Sequence, residues 1–261
     1  MGATPHTPAV ALPLRSGNRF FVGVAIAMLV VIALGFGKSF YLRPVMNDAP
    51  LPVYLVVHGL VMTAWYLVFL AQAMLVSSRR MAVHRRLGVA GVVLAAAVVA
   101  TGAMVHLRLI PRMHALGQIA SPGDFAFATE FVLQGLASLV PFVVLVTWAV
   151  LGRRRPEVHK RLMFWAMVWA IGPAFTPTRP LGQFLDPLVA PALTFFPADL
   201  LWFGALLLYD LRTQRRPHPA TWLAFAALSA WLLWVMPWIA NQPLAQAWLR
   251  AWVGTTGIAL Q

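Results

Sequence analysis

Seven apolar stretches of spanning length set the terms for this chain, because about 20 residues of helix cross the hydrocarbon core of a bilayer. They lie near 20–41, 52–77, 87–110, 126–151, 161–177, 190–211 and 219–240. Only helices and closed barrels satisfy their backbone polar groups in lipid, and runs this long are helical. The expected fold is an all-α integral membrane bundle of seven transmembrane helices. Composition agrees: 61% of the 261 residues are hydrophobic and 10% are charged, against about 25% charged in a soluble domain. Residues 1–19 read as a cytoplasmic N-terminal segment, 20–240 as the membrane domain, and 241–261 as a C-terminal segment. That last segment suits an interfacial helix, with Trp248, Arg250 and Trp252 near the membrane surface. The first stretch is too long for a signal peptide and lacks a small-residue cleavage site, so it reads as an uncleaved anchor.

The net charge of +13 would suggest nucleic acid in a soluble protein. Here the basic residues sit in short loops, where they set topology and meet anionic lipid head groups. An N-terminus in the cytoplasm places Arg15, Arg19, Arg79, Arg80, Arg85, Arg86, Arg153, Arg154, Arg155, Lys160, Arg161, Arg212, Arg215 and Arg216 on one side. That is 14 of the 20 Lys and Arg, which gives N-in and C-out. The location expected is a bacterial cytoplasmic (inner) membrane.

Two of these basic loops resemble each other. "RRMAVHRRL" (79–87) and "RRPEVHKRL" (154–162) match at six of nine positions, 75 residues apart. The stretches 52–77 with 87–110, and 126–151 with 161–177, would then be parallel repeats. Basic loops can also agree by composition alone, but the aligned Val-His pair is harder to dismiss. A weaker echo, "RRPHP" (215–219), opens the last stretch.

Candidate chemistry falls at two depths. At the cytoplasmic face, His84 and His159 stand at helix starts and could face one another. Imidazole suits haem iron, copper or zinc, and a bis-His pair needs no cysteine; the chain has none. The plainer reading is two interfacial histidines that cap helices or bind phosphate. Gln72 belongs to this layer. Toward the outer face lie His58 and His106, candidates for a second haem or, with Glu130, for a metal; ordinary interhelical hydrogen bonds would also account for them. Glu130 and Gln134 share a helix face. Arg179 and Asp199 form the expected buried ion pair, as a site or as a lock between helices. On the stripe His58, Trp65 and Gln72, Trp65 is expected to be packing. "PAFTPTRP" (173–180) must break or kink its helix. A P-loop, GxGxxG, HExxH and GxSxG are all absent. The last apolar stretch lacks the lysine of retinal proteins and the histidines of adiponectin-receptor-like hydrolases.

A membrane His followed by Gln, then "HRRLG" (84–88), "HKRLM" (159–163) and Arg179, resembles a group of bacterial multi-pass proteins. These share a domain of unknown function whose pattern reads His…Gln…HRxLG…HRxWM…R. The resemblance covers roughly residues 55–180, and Leu162 stands where that pattern has Trp. "YDLRTQRRPHPATW" (209–222) is similar to the closing segment of related sequences. The resemblance implies an architecture and no activity. A thinner similarity links the chain to cytochrome-b561-like bundles. Three functions follow as expectations: an accessory or assembly subunit of a membrane complex, a b-type haem electron-transfer protein, and a transporter using Asp199, Arg179, Glu130 and His58.

Overall fold

The computed structural model describes residues 15–46, 49–175 and 196–257. Among these every regular element is helical. The order is α1 (Arg15–Phe36), continued by a π turn at Gly37–Tyr41; α2 (Val53–Ser77); α3 (Met81–Leu107); a short α4 (Leu109–Ala115); and α5 (Pro122–Leu151). After a 3-10 turn at Gly152–Arg154 come α6 (Pro156–Ile171), a 3-10 turn at Gly172–Phe175, and α7 (Phe196–Gln214). α8 (Pro219–Ala230) runs through a π turn at Trp231–Val235 into α9 (Met236–Ala240), and α10 (Pro243–Gly254) follows.

Five of the described helical segments are long and apolar enough to cross a membrane: Arg19–Tyr41, Val53–Ser77, Met81–Leu107, Pro122–Arg154 and Pro219–Ala240. The expected stretches 161–177 and 190–211 correspond to α6 and α7. α6 has 16 residues, about 24 Å of rise, and is the most enclosed helix, burying Leu162, Phe164, Trp165, Ala166, Met167, Val168 and Ile171. It sits among the others, packed on α5 and α8, while α2 packs on α1 and α3, and α3 also on α5.

Local sequence sets the helix ends. α5 starts at a capping box, Ser121 and Asp124 each bonding the other's backbone N–H, with Pro122 suited to the first helical turn. α2 ends in a Schellman turn: Arg79 N–H donates to Val76 O and Arg80 N–H to Leu75 O, at 3.1 and 2.8 Å. Arg79 takes the left-handed position at φ 60°, where glycine is usual and a side chain costs about 1 kcal/mol. α3 and α6 begin at Met81 and Pro156, several residues before the apolar runs that announced them. Their basic first turns are helical as well, so His84 and His159 stand one turn inside rather than at the helix starts.

Inside α5, Pro141 is buried and has no N–H to give the carbonyl of Ala137. The indole of Trp231 donates to that oxygen at 3.2 Å, and Trp169 donates to the next one, Ser138 O, at 2.7 Å. Tyr66 on α2 donates to Met167 O on α6 at 2.8 Å. These bonds tie the helices where lipid could supply no donor. Trp65 is buried edge-on against Phe142 at 5.4 Å, which is the packing role expected of it. At the end opposite the arginines, Ile110, Val132, Leu133, Ala240, Leu249 and Val253 form a second apolar cluster under α10. "PAFTPTRP" behaves as expected where it is described: Pro173 lies in the 3-10 turn that ends α6.

Candidate functional site

At the arginine-rich end, His84 and His159 are each the fourth residue of their helix, with Arg80 and Arg155 at the N-caps. Their ring centres are 6.4 Å apart and their planes meet at 89°. His159 Nδ1 lies 2.8 Å from Ala149 O, one of the last carbonyls of α5 and without a helical donor. A carbonyl only accepts, so Nδ1 carries the proton and Nε2 is the free nitrogen in the neutral ring. His84 Nδ1 is buried with no partner, and so is Gln72 Oε1. The Gln72 amide crosses α3 at Gly88, where a Cβ would lie 3.5 Å from its nitrogen, one helical turn from His84. Gln72 and His84 therefore lie one helical turn apart along the α2–α3 contact.

The second depth assembles only in part. His58 Nδ1 is 3.0 Å from Thr101 Oγ1, whose own hydrogen goes to Ala97 O at 2.7 Å. The hydroxyl therefore accepts from His58, whose Nε2 is left as an acceptor. His106 packs onto Gly135 so closely that a Cβ there would overlap its ring, and its buried Nδ1 has no partner. Gln134 donates to Glu130 at 2.8 Å, the shared face expected of them. Glu130 is exposed, between the outward-facing Phe127 and Phe131. It does not join the histidines, and among the described residues no three His, Cys, Asp or Glu side chains gather closely enough for a metal ion. Asp199 lies in the first turn of α7. Arg179, its expected partner, lies outside the described residues.

A charged junction that sequence reasoning missed joins α6, α7 and α8. Arg161 and Asp210 are both fully buried. Arg161 Nε donates to Asp210 Oδ1 at 2.9 Å, and Nη2 donates to the same oxygen. Asp210 Oδ2 accepts from the Thr221 hydroxyl at 2.5 Å and the His218 backbone N–H at 3.0 Å. Glu157 receives Arg161 Nη1, Lys160 and Gln214 at 2.6, 2.7 and 2.9 Å. Trp165 adds an indole bond to Thr221 O at 3.1 Å. His218 caps α8 by accepting from Ala220 N–H at 3.0 Å. Burial, reinforced by the Arg161 guanidinium, holds this imidazole below its usual range. Every oxygen of Asp210 is engaged, so the junction is a lock rather than an open site. The clue was an acid inside the apolar run "LWFGALLLYDLR", in a chain with only seven acids.

Five described helices long and apolar enough to span a bilayer, no described strand and apolar residues such as Val89, Leu201 and Trp234 facing outward define a polytopic α-helical membrane protein whose surface suits lipid. No protein-family model matches the chain, and no curated protein or solved structure matches it.

Proposed function

We propose that the chain is a membrane electron-transfer protein holding a b-type haem between His84 and His159. The observation that carries this reading is their separation of 6.4 Å. Two metal–nitrogen bonds of about 2 Å, extended to the imidazole centres, span roughly 6 Å. The Ala149 carbonyl holds His159 by Nδ1, the support typical of a metal-ligating imidazole. Zinc sites take three or four protein donors, whereas haem iron needs two, the porphyrin filling its other positions. Arg85, Arg86 and Arg153 are exposed at the same end and would face the propionates. Bound there, haem supplies one-electron chemistry.

Absorption spectra of protein purified after expression with haem supply test this directly. A Soret band is expected in the parent protein and in His114→Ala, and is expected to be lost in His84→Ala and His159→Ala. A parent protein without the band ends the reading.

Finer points of architecture are part of the same proposal. α6 and α7 complete seven traverses, the 3-10 turn at 172–175 lengthening α6. The N-terminus is cytoplasmic and the membrane is the bacterial inner membrane, as the positive-inside pattern indicates. The helix pairs α2–α3 and α5–α6 form a parallel repeat, supported by the matching places of His84 and His159. The family pattern that the chain resembles includes His84, His159 and Gln72, three residues of one layer. α10 lies in the outer interface, with Leu244 and Trp248 exposed. Docking on a larger membrane complex accords with an electron carrier, which needs a donor and an acceptor. The transporter reading has less support, because Glu130 points away from the histidines.

A further inference from the structure

We propose that Arg79 and Arg215 hold the phosphates of anionic phospholipids at the arginine-rich end, a role that stands apart from the haem reading. Among the described residues they are the two positions other than glycine with positive φ, 60° and 57°. Each ends a helix in the left-handed conformation: Arg79 after α2, and Arg215 after α7, where its N–H donates to Leu211 O at 3.1 Å. Glycine takes that conformation freely, whereas a side chain is strained there. Arginine kept at two separate helix ends of this kind implies a use for the side chain that outweighs the strain. Both turns flank the one between α5 and α6: His84 faces His159 at 6.4 Å, and Gln214 bonds Glu157 at 2.9 Å. Arg79, Arg80, Arg215 and Arg216 are all exposed. The two acids described at this end, Glu157 and Asp210, are taken by Lys160 and Arg161, so among the described residues none of the four arginines has a carboxylate partner. Position makes the partner a lipid. Exposed apolar side chains adjoin both turns, Met81 and Val83 beside Arg79, Leu211 one helical turn before Arg215. Charge and apolar surface meet there as phosphate and acyl chain meet in a phospholipid. The planar guanidinium, with its paired N–H donors, suits phosphate.

Thermal melts of the purified full chain in neutral detergent test this, with phosphatidylglycerol or phosphatidylcholine added. A lipid that binds the folded protein raises its melting temperature. The parent protein is expected to gain more from phosphatidylglycerol than from phosphatidylcholine; equal gains would overturn the proposal. The double variant Arg79→Gly with Arg215→Gly is expected to melt about 2–4 °C higher per site in detergent alone, its strain relieved, and to lose most of the phosphatidylglycerol gain. Arginines that served the fold itself would give the opposite sign, a variant melting below the parent. Arg79→Gln with Arg215→Gln keeps the strain and drops the charge. It is expected to melt with the parent in detergent and to lose the same gain, and it decides alone should the glycine variant fail to fold. A full phosphatidylglycerol gain in either double variant would overturn the proposal. So would an equal gain in the parent from inorganic phosphate or polyglutamate, which would make the ligand a free anion or an acidic protein.

Discussion

Arg161 and Asp210, 49 positions apart in the chain, are both fully buried and joined by two hydrogen bonds to one carboxylate oxygen. Taking both charges out of water is costly, and the pair repays this only because Thr221, His218 and Glu157 satisfy the remaining lone pairs and protons. Removing one partner strands the other. Arg161→Met and Asp210→Leu should each lower unfolding stability by about 3–5 kcal/mol. The double variant should recover much of that loss, since no lone buried charge remains. Denaturant unfolding in detergent measures all three; a double variant that loses as much as the two single variants together would show that the junction acts through something other than its paired charge.

The fold was legible in this sequence wherever length and hydropathy carry the information. Val53–Ser77 and Pro219–Ala240 coincide with the apolar runs, because lipid-facing residues must be apolar whatever their neighbours. The first turns of α3 and α6 were hidden, because residues such as Arg85, Arg86 and Lys160 make them polar, and a hydropathy window begins after them. The two depths of histidine could be read from helical rise alone. The Arg161–Asp210 lock could not, since Arg161 looked like one more cytoplasmic charge and its partner lies on another helix. Glu130 was grouped with His58 and His106 by depth, but depth does not fix the side of a helix, and α5 turns Glu130 outward.

The bond from Trp231 to Ala137 O exists because Pro141 leaves that carbonyl without its helical donor. Trp231→Phe should therefore cost about 1 kcal/mol in the parent protein. In a Pro141→Ala background the helix can supply its own N–H, and the same substitution should cost close to nothing. A double-mutant cycle by denaturant unfolding gives the coupling. Equal costs in both backgrounds would mean that the indole contributes packing rather than a hydrogen bond.

Gly135 is the seat of His106. A methyl group there would collide with Cε1 and Nδ1 of the ring, whereas one at Gly204 meets nothing within 4 Å. Gly135→Ala should destabilise by about 1–3 kcal/mol through overpacking, and Gly204→Ala should stabilise by up to about 1 kcal/mol through helix propensity. Thermal melts of the two variants check the contrast. A harmless Gly135→Ala would mean that His106 can leave the α3–α5 contact freely.

His218 links the stability of the α7–α8 corner to pH. Its Nδ1 must be unprotonated to accept from Ala220 N–H, and its folded pKa is lowered, first by burial and then by Arg161. The unfolded chain, titrating near 6.5, then binds the proton more readily than the folded one. The cap's contribution is complete above about 6.5 and is lost as pH falls through the lower folded value. Melting temperature should therefore drop on acidification below neutrality, by an amount kept small by the ring's partial exposure. Asn caps helices well and does not titrate in this range. His218→Asn should keep the stability seen at neutral pH and flatten the acid slope. An unchanged slope in that variant would place the acid sensitivity elsewhere in the chain.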